Sequence, residues 1–81
     1  MAEMSRGEVC AGAREYFERH GRPADPDAIR VFERVCEQGD ATLEEVVASS
    51  AGSGDPLTPE RAEAAWGRLT EMAERLRQGY L

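Results

Sequence analysis

The chain contains no lysine and no asparagine. All ten of its basic residues are arginine, and its 81 residues include one histidine, two cysteines and one tryptophan. The arginine-only bias, together with abundant Ala, Glu and Gly, points to a GC-rich bacterial or phage coding sequence. A four-ligand zinc site lacks donors, because His20 is alone and Cys10 and Cys36 are too far apart for a CxxC motif. Cys packs as a small apolar residue, so two buried free thiols are expected. There is no Gly-rich phosphate loop, no HExxH pattern and no Ser-His-Asp order. No apolar run approaches the ~18 residues of a membrane span. The opening "MAEMSRGEV" lacks the basic and apolar regions of a signal peptide. A cytoplasmic location without membrane contact is the default expectation.

What remains is small, acidic and helical. The length suits a single domain over 1–81, with a thin core to which a partner or self-association would add burial. The net charge of −6 is uneven. Residues 25–55 carry Asp25, Asp27, Glu33, Glu37, Asp40, Glu44, Glu45 and Asp55 against Arg30 and Arg34, and the rest of the chain balances at eight acids and eight arginines. An acidic middle argues against nucleic acid as a partner, since phosphate contacts need positive surface. Glu33, Glu37, Asp40, Glu44 and Glu45 are expected to form a solvated acidic face.

The spacing predicts four helices near 6–20, 26–38, 42–49 and 59–78: three short helices and one long C-terminal helix in an all-α bundle. Ser5 and Glu8 read as a capping box, with Met4 and Val9 as its hydrophobic staple. Val9, Ala13, Tyr16, Phe17 and His20 recur on one face, Arg14–Glu18 and Glu15–Arg19 are i,i+4 pairs, and Gly21 is a stop. Asp25 caps the second helix, Pro26 takes its first position and Asp27 faces the positive end of the dipole. Its stripe reads Ile29, Phe32, Val35 and Cys36. Thr42 and Glu45 form a second capping box before the short "LEEVVASS" helix. Thr58 caps the fourth helix, with Pro59 following. The expected core includes Val9, Phe17, Ile29, Phe32, Val46, Trp66 and Leu69.

The stretch "VVASSAGSGDPLTPERAEAAWGRL" poses the functional question. A short helix end and a marked helix start flank small residues, as in a helix-turn-helix, with Arg61 and Arg68 on the second helix. Yet the connection from Ser49 to Thr58 is much longer than the 3–4 residues of that motif. Glu44, Glu45, Asp55, Glu60 and Glu63 would also crowd the DNA. The stretch therefore reads as a flexible joint near 49–57.

No residue is assigned a catalytic, cofactor-binding or metal-binding role. His20 reads as a helix-end residue favoured by the dipole. Glu33 and Glu37 share a helical face but lack the ExxH partner of a carboxylate metal site. The expectation is a non-enzymatic helical module that regulates, adapts or inhibits another protein, or serves as a non-catalytic subunit of an enzyme complex. Two alternatives are a small helix-turn-helix-like DNA-binding regulator and an acidic nucleic-acid mimic that occupies a basic groove. No cofactor is implied. The fourth helix, at ~1.5 Å per residue, outruns its shorter neighbours. Leu69, Ala73, Leu76, Tyr80 and Leu81 are accordingly expected to form an interaction surface that makes a homodimer. Glu71 would pair with Arg75 along the helix, and Arg68 and Arg77 would meet acids across the interface.

Overall fold

A computed structural model describes residues 4–39, 42–52 and 54–79. Four α-helices follow in order: α1 (Arg6–His20), α2 (Pro26–Val31), α3 (Leu43–Ser50) and α4 (Pro59–Arg77). A π-helical segment, Phe32–Glu37, continues α2. No strand occurs among the described residues. The all-α bundle with one long C-terminal helix is therefore the architecture.

Helix starts follow from the local chemistry. At both capping boxes the side chain accepts from the amide three residues on, while the glutamate returns to the cap amide: Ser5 with Glu8, and Thr42 with Glu45. Asp25 accepts from the Asp27 amide and Thr58 from that of Arg61, each before a proline whose missing N–H costs nothing there. Gly21 ends α1 at φ +84°, a conformation that favours glycine, with its N–H donated to the Phe17 carbonyl at 2.7 Å.

Helix α1 runs antiparallel to α4, with Gly12 against Ala73 and Glu8 paired to Arg77 at 3.4 Å. Without a side chain at Gly12 the two helices approach closely. Helices α2 and α3 also pack on α4, which is the spine of the bundle. Phe32, Leu69, Val9 and Val31 are the largest fully buried side chains, and Phe17 meets Phe32 edge-on with centroids 4.8 Å apart. Such a pair contributes about 0.5–1.5 kcal/mol beyond its burial. Much of the remaining core is alanine: Ala13, Ala28, Ala62, Ala65 and Ala73.

The core departs from the sequence expectation on α2 and α4. Ala28 and Val31 are buried while Ile29 is only half-buried. The expected single helix over 26–38 widens at Phe32, and the Gln38 amide donates to Glu33 five residues back at 2.9 Å. Ala28, Val31, Phe32 and Val35 nonetheless keep the i, i+3, i+4 and i+7 spacing of one helical face. Trp66 is half-buried at the rim of the core.

The cysteines differ most. Cys10 on α1 and Cys36 in the π-helical segment form a disulfide, with Cα atoms 5.2 Å apart, so the free thiols expected from the sequence are not what the fold contains. The two helices bring the pair together near the core, and a thin alanine-rich interior gains from the crosslink. A disulfide persists in oxidising surroundings, so the bond lends nothing to the cytoplasmic expectation. Among the described residues no helix is long and apolar enough to cross a membrane.

The joint near 49–57 is tied together at its two ends, Ser50 and Leu57. Ser50 is buried, donates to the Val47 carbonyl at 2.8 Å and accepts from the Leu57 amide at 2.8 Å. Leu57 is itself in the core.

Candidate functional site

The arginines are the first chemistry to place, because a DNA reader would need them free. The guanidinium of Arg61 grips Asp27 with two parallel bonds, Nε to Oδ2 at 2.9 Å and Nη2 to Oδ1 at 2.7 Å, and reaches Asp55 at 3.3 Å. That fork holds the Asp27 carboxyl below the usual aspartate range and pushes the Arg61 guanidinium up. Arg68 pairs with Asp25, and Arg30 donates to the Asp55 carbonyl at 2.7 Å. Acids at the start of α2 and in the loop before α4 thus latch onto α4. Arg77, expected to meet a second chain, pairs with Glu8. Ser5 hydrogen bonds, and less strongly the Arg77 charge, hold the Glu8 carboxyl down.

The expected acidic face is only partly free. Glu33, Glu37, Glu44 and Glu45 are exposed, and Asp40 lies outside the described residues. Glu37 pairs with Arg22 at 3.6 Å, and Glu45 is engaged in its capping box. Of the two pairs expected on α1, Glu15–Arg19 forms at 3.3 Å. Arg14 instead donates to the Cys36 carbonyl at 3.5 Å and lies over the Phe32 ring. His20 is exposed, its ring 4.5 Å from that of Tyr16. Among the described residues, no three His, Cys, Asp or Glu side chains converge as a metal site would require.

The expected interaction stripe on α4 divides. Leu69 and Ala73 are buried inside the chain. Their cover is α1, which runs along the distal half of α4; two helices of unlike length pair off without leaving that stripe bare. Leu76 is half-buried and lines a depression of about 330 Å³ with Met4, Glu8, Gly12 and Arg77. Tyr80 and Leu81 lie outside the described residues.

A second surface runs beside Trp66, a residue expected from its spacing to lie in the core but half-exposed in the fold. Leu43 and Glu44 at the start of α3 line two adjoining depressions, of about 460 and 320 Å³. Val35, Met4 and Trp66 line the first; Val47, Pro59, Ala62 and Glu63 line the second. Together they form a groove between α3 and α4. Leu43, Val47, Trp66 and Met4 are only half-covered by the fold. Pro59, Ala62, Glu63 and Trp66 share one face of α4 by their i, i+3, i+4 and i+7 spacing. The signal was present in the sequence as apolar residues on the proximal half of α4 and on α3, but spacing alone does not distinguish a covered stripe from a half-covered one.

The chain matches no family model, no curated protein and no solved structure, so fold and surface chemistry are the ground for a functional reading.

Proposed function

We propose that this chain is a non-enzymatic protein-interaction module, a regulator, adaptor or inhibitor that acts by presenting a rigid helical surface. The observation that supports this reading is the groove between α3 and α4, where Trp66, Leu43, Val47 and Met4 stay half-exposed on a fold crosslinked by Cys10–Cys36. Aromatic and apolar side chains that remain in contact with water on rigid elements are the usual anchors of interfaces. The engagement of Arg61 and Arg68 with Asp27 and Asp25 weighs against the DNA-reading alternative. Pairing of Asp25, Asp27, Glu37 and Asp55 with arginines likewise shrinks the surface available to a nucleic-acid mimic.

The reading is tested by panning a helical peptide library against the immobilised, oxidised protein, alongside titration with random duplex DNA at low salt. Enrichment of peptides that bind at micromolar Kd or better, with no duplex binding, is the expected result. Failure to enrich any titratable ligand, together with salt-sensitive duplex binding, would replace this reading with the DNA regulator, because phosphate contacts weaken steeply with salt.

A further inference from the structure

We propose that the α3–α4 groove takes a basic amphipathic helix from a partner protein, an assignment that rests on the interaction-module reading and names the chemistry of its ligand. The floor is apolar: Leu43, Val47, Ala62 and Trp66. The walls are acidic, with Glu44 rising from α3 and Glu63 from α4 on opposite sides of the same depression. Both are exposed, and among the described residues neither has an ion-pair partner. That sets them apart from Asp25, Asp27 and Asp55, which the fold neutralises. An apolar floor between unpaired carboxylates fits a helix whose apolar stripe is flanked by Arg or Lys.

The starts of α3 and α4 both face this region, and a helix N-terminus carries roughly half a positive charge. Those ends are already answered. Thr42 and Thr58 cap them, and Glu44, Glu45 and Glu60 stand in their first turns. Glu44, Glu45, Glu60 and Glu63 together still outweigh the two half-charges and Arg6, so the groove remains a cation-attracting site.

The groove also has a direction. Arg6 lines the Trp66 depression, Glu44 lines both depressions, and Glu63 lines the one at Pro59, less than one turn of α4 before Trp66. From Pro59 to Trp66 is about 10 Å along the helix axis, close to two turns. The ligand therefore sets an apolar anchor against Trp66 and its cations within about one turn of it, toward Pro59. A second copy of this chain is the poorer occupant. Two such grooves face to face would oppose Glu44 and Glu63 to themselves in a molecule of net charge −6.

Trp66 is the sole tryptophan, so its emission reports the groove directly. The probe is a tryptophan-free helical peptide with leucines at i, i+3, i+4 and i+7 flanked by arginines. Its controls are a peptide of equal charge with the leucines scattered and one with glutamates for the arginines. The expected result is a blue shift of Trp66 emission on adding the basic amphipathic peptide, with neither control binding within tenfold of it. Combining Glu44→Gln with Glu63→Gln should weaken binding at least tenfold. The charge-reversed pair Glu44→Lys and Glu63→Lys should transfer preference to the glutamate peptide, with thermal melts confirming that each variant is folded. Equal binding of the scattered peptide, or an unchanged affinity in the glutamine variant, overturns the assignment. So does an emission shift produced by raising protein concentration alone, which would place a second copy in the groove. Should library panning yield ligands that the basic peptide does not displace, the groove assignment fails while the interaction module stands. Should panning yield none, the module itself fails.

Discussion

A Cβ placed on Gly12 would stand 2.5 Å from the Cβ of Ala73 and 2.8 Å from its Cα, so α1 and α4 meet at a separation that no larger residue permits. The contact sits midway along the longest helix pairing in the fold. Gly12→Ala gains about 1 kcal/mol of helix propensity and meets an overpacking cost of about 1–3 kcal/mol. The clash should win, because the obstructing atoms include backbone, which yields only if the helices part. Gly67→Ala is the control, since Gly67 is also inside a helix but faces open space. Thermal melts should show Gly12→Ala lowering Tm by roughly 4–8 °C per kcal/mol lost and Gly67→Ala raising it. A rise in both would mean that the helices do not approach this closely.

The Cys10–Cys36 bond closes a sequence separation of 26 residues. Loop-closure entropy for that length corresponds to about 3–4 kcal/mol, a large share of the stability of so small a domain. Cys10→Ala with Cys36→Ala should therefore lower Tm by more than 10 °C, on the scale of about 4–8 °C per kcal/mol. Adding reductant to the wild type should have a similar effect. Thiol titration of the unfolded, unreduced protein should detect no free thiol. Two free thiols and a melt indifferent to reductant would restore the free-cysteine expectation.

Asp27 and Arg61 join the start of α2 to the first turns of α4. Asp27 is well covered, with its side chain 16% exposed, while Arg61 is 40% exposed, so solvent screens the pair. Asp27→Asn should cost about 1 kcal/mol near neutral pH. The folded-state pKa of Asp27 is depressed by the Arg61 hydrogen bonds. Its contribution is therefore complete above the ordinary aspartate value of about 3.9, shrinks as pH falls below it and is lost once pH passes the depressed folded value. Urea unfolding across acid pH should show wild type and Asp27→Asn converging in that window. A gap that persists below it would show that the carboxylate charge is not the source.

Self-association through α4 now rests on Leu76, since Leu69 and Ala73 are occupied by α1. We propose a weak homodimer formed at the Leu76 depression, where Glu8 and Arg77 are already paired with each other and Leu76 and Met4 supply the apolar contact for a twofold copy. Sedimentation equilibrium should find dimer only at high micromolar concentration, and Leu76→Glu should abolish it while Tm shifts little. A strict monomer at that concentration, or a dimer that Leu76→Glu leaves intact, rules the contact out.

The helices are legible along the chain, because their ends are written in short-range chemistry. Ser5 with Glu8, Thr42 with Glu45, and the prolines after Asp25 and Thr58 act within one turn of chain, and each starts a helix where it stands. Much of the core was legible for the same reason, since Val9, Phe17, Phe32, Val46 and Leu69 recur at a period set by the helix itself. Which apolar faces are consumed depends on contacts between distant helices. The α4 stripe at Leu69 and Ala73 is covered because Gly12 lets α1 approach, while the stripe at Trp66 is left half-open because nothing of equal length lies over it. The wide turn at Phe32 has no residue signature, since an i→i+5 bond asks nothing special of its side chains, and the inward face of α2 is set by its packing on α4, which takes Ala28 and Val31 rather than Ile29. Cys10 with Cys36, Asp27 with Arg61, and Ser50 with Leu57 are meetings across space. Spacing along one chain fixes the face a residue occupies on its own helix, and packing alone fixes what that face meets.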